Sequence, residues 1–278
     1  MKLFNIFKRK AQPCPEPTDT LDYLTRHYSG NDEEGRLLTR HGQVEYRTTM
    51  RYIEKYAEPG MKILEIGAAT GRYSLTLARK GYDVTAIELV QHNIDIFRKK
   101  LKPEDKVDLQ QGNALDLSRF ADGTFDLVLL FGPMYHLINR EDAMRALEEA
   151  LRVTKPGGLL YVAYCICDMS ILEGGLNRWF WDYLEDGHID PVTYACKSYV
   201  KDVFQLYRKE DIDALTACLP AERLHYVATD GTARIIRDTL KKMPPERFEK
   251  FMEYHYFLCE RPDVVGITNH SLDVLRKN

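Results

Sequence analysis

The stretch Ile63-Leu64-Glu65-Ile66-Gly67-Ala68-Ala69-Thr70-Gly71-Arg72-Tyr73 decides the fold: an apolar strand runs into a glycine turn, and the turn opens a helix. Glycine belongs where a backbone bends sharply or approaches a ligand closely, because a Cβ would clash there. The helix that follows aims its unpaired N–H groups back at the turn. Further on, Asp83-Val84-Thr85-Ala86-Ile87-Glu88 is a second apolar strand ended by an acid. A β-α-β unit places a carboxylate there to accept hydrogen bonds from ribose hydroxyls. Together these features predict a nucleoside pocket.

Glycine spacing narrows the nucleoside. A dinucleotide fingerprint reads G-x-G-x-x-G so that a pyrophosphate can enter. This chain has G-x-x-x-G, with Ala69 and Thr70 where close approach would be wanted, which argues against a nicotinamide dehydrogenase. The stretch instead resembles the first motif of the class I S-adenosylmethionine-dependent methyltransferases: an acid, one residue, then a glycine-rich turn, matched by Glu65, Gly67 and Gly71. Ala69 departs from the glycine that many members carry.

Three later stretches extend the resemblance. Val107-Asp108-Leu109-Gln110-Gln111-Gly112-Asn113-Ala114 is similar to the third strand and its turn, commonly Gly-Asp-Ala, with Asn113 in place of the usual Asp. An Asn carbonyl still accepts a hydrogen bond. Phe125-Asp126-Leu127-Val128-Leu129-Leu130-Phe131 is a near-continuous apolar run, as a strand buried on both faces should be. It leads into Gly132-Pro133-Met134-Tyr135-His136-Leu137, which in that family is the wall between cofactor and acceptor. Glu149 to Leu160, containing Lys155-Pro156-Gly157-Gly158, resembles the helix, turn and fifth strand. The match is dense over residues 42–165 and loose elsewhere.

The resemblance implies an α/β fold: a doubly wound, seven-stranded, mostly parallel Rossmann-like sheet with a helical N-terminal lid and a helical cap. It also implies S-adenosyl-L-methionine as methyl donor. Glu88 is then expected on both ribose hydroxyls, Asn113 at the adenine edge, Gly67 and Gly71 beside the methionine portion, and Glu65 near its ammonium. Ala68, Leu89, Ala114 and Phe131 complete the expected cofactor-binding set.

Composition bounds the alternatives. Hydrophobic content of 44% and charged content of 29% are those of an ordinary globular protein, and 278 residues suffice for one large domain with a cap. A formal charge of -3 offers no broad attraction for phosphate backbones, so no nucleic-acid partner is expected. The six cysteines (Cys14, Cys165, Cys167, Cys196, Cys218 and Cys259) form no C-x-x-C pair, which argues against zinc. Without a visible signal peptide they are expected as reduced thiols in a cytoplasmic protein. No apolar run reaches membrane-spanning length.

The expected organisation is a flexible tail over 1–19, lid helices over 20–60, the cofactor-binding core over 61–165, a cap over 166–208, and the end of the sheet with a helical insertion over 209–278. The tail's Met1 to Lys10 has apolar and basic sides, a surface-binding alternative to simple fraying. Within the lid, Arg36, Arg40, His41, Glu45 and Tyr46 are candidates to reach the cofactor. Trp179, Phe180, Trp181, Tyr183, Tyr194 and Tyr199 suit both a cap core and an acceptor pocket, and most are expected in the core. Helices over Thr232 to Lys242 and Pro244 to Arg261 read as a second part of the cap or as a homodimer contact. The last strand, Ser271 to Arg276, is expected to insert antiparallel between the fifth and sixth.

For the acceptor side, His136 titrates near neutrality and is the candidate base, with Tyr135 orienting the acceptor. Against this, a histidine opening a helix is often only a capping or packing residue. Asn269 and His270 form a second pair that turn chemistry also explains. Gly132-Pro133-Met134-Tyr135 lacks the Asn/Asp oxygen with which amino-methyltransferases of the Asn/Asp-Pro-Pro-Tyr/Phe type hold an amine. It also lacks the carboxylates that hold magnesium in catechol-type members, so no metal is expected. The leading expectation is methylation of an O, N or C atom of a small organic molecule. Open alternatives are a methyltransferase for tRNA or a protein side chain, and a non-catalytic S-adenosylmethionine-binding module.

Overall fold

A computed structural model describes residues 20–30 and 33–278. The expectations for the tail and for Cys14 lie outside the described residues. Seven strands form one sheet in the order β3-β2-β1-β4-β5-β7-β6. They are β1 (Lys62–Ile66), β2 (Asp83–Glu88), β3 (Val107–Gln111), β4 (Phe125–Leu130), β5 (Thr154–Cys165), β6 (Ala221–Ala228) and β7 (His270–Lys277). The first five run parallel, and β7 enters antiparallel between β5 and β6. This is the expected fold.

Apolar periodicity explains the layers. β1 and β4, at the sheet centre, bury Ile63, Leu64 and Ile66 against Leu127 to Leu130, which suits strands covered on both faces. One face is packed by α6 (Arg140–Val153) and α9 (Lys209–Thr216), which join Leu64, Val128 and Leu160 in the larger core. On the other face α3 (Arg40–Glu54) and α4 (Arg72–Arg79) pack on Ile63, Leu129 and Tyr161. The Thr39 hydroxyl starts α3 by accepting from Gly42 N at 3.0 Å, an ordinary N-cap.

Two short lid helices precede α3: α1 (Thr20–Gly30) and α2 (Glu33–Arg36), the second of which periodicity had not suggested. Glu34 anchors α2 to Lys100 at 2.5 Å, at the end of α5 (Gln91–Lys100). The cap holds α7 (Cys167–Glu173) and α8 (Phe180–Glu185) around Cys167, Ile171, Phe180 and Ile189. Most cap aromatics were expected in that core, but only Phe180 is buried. Trp179 and Tyr183 are half-buried against a cavity, while Trp181, Tyr194 and Tyr199 are exposed. Short helical turns leave too little apolar contact to enclose them.

The later helices also differ from expectation. Residues 232–236 form turns, and α10 (Arg237–Lys242) and α11 (Pro245–Leu258) pack on α3 through Val44, Leu240, Phe248 and Met252. They buttress the lid. Only Arg234, ahead of α10, reaches the cavity beneath the cap.

Candidate active site

At the carboxyl edge of the sheet, β1 ends in the turn Gly67 to Gly71. Gly67 has φ 84°, and a Cβ on it would lie 2.2 Å from the Phe131 carbonyl oxygen and 2.6 Å from Pro133 Cδ. Only glycine lets the turn pass beside the end of β4. Gly71, expected to make room for a ligand, makes room instead for Phe97: a Cβ would meet that ring at 2.4 Å. Ala69 adopts φ 47° without being glycine, and its N–H donates to Glu88 Oε2 at 2.8 Å.

Glu88 is buried at the end of β2 and also accepts from Val90 N at 2.8 Å and Asn93 Nδ2 at 3.2 Å. Burial pushes its pKa up against these bonds. The carboxylate therefore ties the turn to the start of α5 while facing a crevice of about 270 Å³. Leu89, Asn113, Ala114, Gly67 and His136 border the same crevice. Asn113 is exposed, and its Oδ1 accepts from Leu115 N at 3.0 Å, fixing the side chain within its own turn.

A narrower crevice of about 70 Å³ adjoins it, bordered by Glu65, Gly67, Ala68, Phe131 and Tyr135. Glu65 is fully buried and accepts from the Ser74 hydroxyl. Burial lifts its pKa to about 8.

The largest of the three spaces, about 550 Å³, lies beneath the cap and is bordered by Trp179, Tyr183, Phe204, Arg234, Asn269 and His270, among others. Tyr28, Glu33, Arg36, Tyr135 and His270 border both this cavity and the narrow crevice. Of the lid candidates, Arg36 donates to Glu45 Oε2 at 2.7 Å, and Tyr46 Oη bonds Thr76 Oγ1 at 2.7 Å. Arg40 turns away and lies 4.6 Å over the Phe248 ring. His41 is half-buried near Thr39, with Nε2 at 3.4 Å from that hydroxyl.

His136 follows a short helical turn, Pro133–Tyr135, rather than opening a helix. Its Nδ1 lies 2.9 Å from the Val203 carbonyl, which can only accept, so Nδ1 carries the proton. Nε2 then accepts from the Tyr28 hydroxyl at 2.7 Å. Burial lowers the His136 pKa to about 4, so the ring is neutral and both nitrogens are engaged. It borders the wider crevice and not the capped cavity, and with both nitrogens engaged it is not the free base that was expected: His136 holds the lid residue Tyr28 in place. Sequence reasoning missed Tyr28. Only an aromatic ring on a lid helix pointed to it, and its partner lies far along the chain.

His270, at the head of β7, is paired with Asp230, which follows β6; Nδ1 lies 2.9 Å from Asp230 Oδ2 and 3.4 Å from Glu45 Oε2. Asp230 Oδ1 accepts from Thr268 Oγ1, Asn269 N and His270 N. Burial opposes charge on both partners, yet the facing carboxylates of Glu45 and Asp230 raise His270 well above its usual value. Asp230 falls to about 2. Glu45, Asp230 and His270 bring ligand-type atoms within 4.8 Å, but Arg36 and the shared imidazole proton already engage those atoms.

Crevices at the carboxyl edge of a doubly wound sheet are where this class of α/β fold binds its ligands. A methyltransferase domain model matches residues 64–162. A demethylmenaquinone methyltransferase of Lysinibacillus sphaericus is 33% identical over 205 residues, 70% of this chain and 83% of that protein. One from Clavibacter sepedonicus is 34% identical over 111 residues, which span 42% of its length. The chain belongs to the S-adenosylmethionine-dependent methyltransferases, a family whose methyl donor is S-adenosylmethionine. The fold is shared with a Methanosarcina mazei S-adenosylmethionine-dependent methyltransferase (TM-score 0.55, 20% identity, 81% of this chain and 96% of that one). It is also shared with a Thermotoga maritima protein described as a possible histamine N-methyltransferase (TM-score 0.55, 18% identity, 94% and 100%). Among the described residues no helix is long and apolar enough to cross a membrane.

Proposed function

We propose that this protein transfers the methyl group of S-adenosylmethionine to an O, N or C atom of a small organic molecule held beneath the cap. The observation that carries this reading is the meeting of the donor crevices with the capped cavity along the line of Tyr28, Tyr135 and His270. The donor fits the residues present. Glu65 is a buried carboxyl bonded to the Ser74 hydroxyl; burial raises its pKa, and a cation such as the donor's ammonium beside it would lower the pKa again and favour the carboxylate. Glu88 and Asn113 border the wider crevice, where the ribose and adenine would be held.

When bound, the donor supplies a methyl on a sulfonium, an activated group open to in-line displacement. The chain's task is then to position the acceptor and exclude water, and proximity alone supplies roughly 7–11 kcal/mol of such a barrier. Tyr28 and Tyr135 would form the partition through which acceptor and donor meet. Relatives named for demethylmenaquinone favour a small acceptor over a macromolecule. Incubation with methyl-labelled donor and a fractionated metabolite extract should label a small molecule. Label appearing only in protein or RNA would overturn the reading.

A further inference from the structure

The capped cavity has one end that the donor does not explain. There Asn269 Oδ1 is buried and without a hydrogen-bond partner among the described residues, although Asn269 borders the cavity. A buried amide oxygen left unpaired is costly, on the order of 1–3 kcal/mol, and one that borders a cavity can be satisfied by a ligand bound there. Its neighbour His270 borders both the cavity and the narrow crevice, so it stands where an acceptor atom must face the methyl. Asp230 holds the Nδ1 side of the imidazole, so Nε2 is the nitrogen left for a ligand.

The charges around the imidazole decide its role. From α3 comes Glu45, itself paired with Arg36 of α2; from the loop after β6 comes Asp230; from β5 comes the Cys165 thiol; and the Tyr135 ring lies 5.8 Å away, centroid to centroid. The two carboxylates outweigh burial and keep the ring protonated, so Nε2 offers N–H rather than a lone pair. An imidazolium oriented by a buried carboxylate, beside an unsatisfied amide oxygen, is a receptor for an anionic oxygen carried next to a hydrogen-bond donor.

We propose that His270, positioned by Asp230, is a catalytic residue that binds the acceptor as its oxyanion, with Asn269 Oδ1 accepting from a neighbouring N–H or O–H of the same molecule. The acceptor class is an acidic hydroxyl compound, a phenol or enol with an adjacent donor. On binding, its O–H bond breaks, the electron pair stays on oxygen against Nε2–H, and the proton leaves to water. His270 keeps its own proton. The ionised acceptor is the stronger nucleophile, so the site does the work that a general base would otherwise do at the moment of transfer.

This inference rests on the proposed function, and its test is separable from it. The probe is 4-nitrocatechol, an acidic phenol with an adjacent O–H whose anion absorbs visible light, titrated with the full chain and S-adenosylhomocysteine at a pH where the free phenol is mostly uncharged. The bound probe should be ionised, with an apparent pKa lowered by about one unit or more, a tenfold change in the ionisation equilibrium. His270→Gln should keep S-adenosylhomocysteine affinity within about twofold, yet bind the probe in its neutral form. Asp230→Asn should fall between the two. A neutral probe on the wild-type protein, or no probe binding at all, overturns the inference while leaving donor binding intact. So does a His270→Gln protein that loses S-adenosylhomocysteine affinity, because the cation would then serve the donor. Failure of wild-type protein to bind S-adenosylhomocysteine would instead refute the proposed function. If His270→Gln does not fold, the ionisation state on the wild-type protein decides alone.

Discussion

Within residues 61–165, the groups bordering the two crevices sit at strand ends and in the turns and helix starts that follow them, whereas the capped cavity, which shares Tyr28, Tyr135 and His270 with the narrow crevice, adds Trp179 and Arg234 from separate segments. The first set is positioned by the backbone of one parallel sheet. The second exists only once lid, cap and C-terminal strand have docked. Donor-side substitutions should therefore act through turn geometry and be severe, and acceptor-side substitutions should act through contacts between elements and be conditional on pH or ligand.

The largest expected effect on binding lies with the glycine turn. Gly67→Ala forces a Cβ against the Phe131 carbonyl at φ 84°, and left-handed backbone alone costs about 1–2 kcal/mol for a residue with a Cβ. With the clash added, S-adenosylhomocysteine affinity should fall roughly hundredfold, about 2.7 kcal/mol by calorimetry. Unchanged affinity would break the contrast at its strongest point.

His136 sharpens it from the other side. Its folded pKa, about 4, lies below the ordinary imidazole value of 6.5, so the unfolded chain binds the extra proton first. Stability from the neutral ring is therefore complete above about pH 6.5 and is lost as pH falls toward 4, by up to about 3 kcal/mol. Urea unfolding of wild type and His136→Gln across this window should show a steeper fall in the wild type. Parallel curves would mean that the clasp between Tyr28 and Val203 carries no such coupling.

Glu88→Ala should weaken S-adenosylmethionine binding at least about tenfold, the scale of charge-assisted hydrogen bonds of roughly 1.5–3 kcal/mol. The structure adds a second consequence: loss of the bonds to Ala69 N and Val90 N should lower the melting temperature of the unliganded protein too. An affinity loss with no thermal change would separate ribose contact from turn support. The smallest effect is Ala69→Gly. Relief of a positive φ should outweigh the added chain freedom of glycine, raising stability by about 0.5–1 kcal/mol with donor affinity unchanged. Destabilisation in a urea titration would contradict it.

The same contrast explains what the chain's letters disclose. The strand-turn-helix at Ile63 to Tyr73 and the acid ending β2 are local patterns, set by hydrophobic period and by the conformations glycine permits, so the sheet and the turns at its carboxyl edge could be read directly. The antiparallel insertion of β7 also matched expectation. Gly71 misled because a glycine states that space is needed without saying whose, and here the space is Phe97's. His136 misled because its neighbours Tyr28 and Val203 come from the lid and the cap. His270 was visible as a residue but not as a cation, since Asp230 and Glu45 reach it across the fold.

One feature of the sheet reaches beyond the folded state. β5 and β6 are joined through β7, which pairs with each of them and comes after both in the chain. While a nascent chain is still being translated, the donor turn and its flanking strands are already made, but β6 has no neighbour to join until residues 270–277 emerge. The strand that seals this seam also delivers His270. Ribosomes that stall short of it would release copies with an unsealed sheet edge and without His270, marked for proteolysis by the open edge.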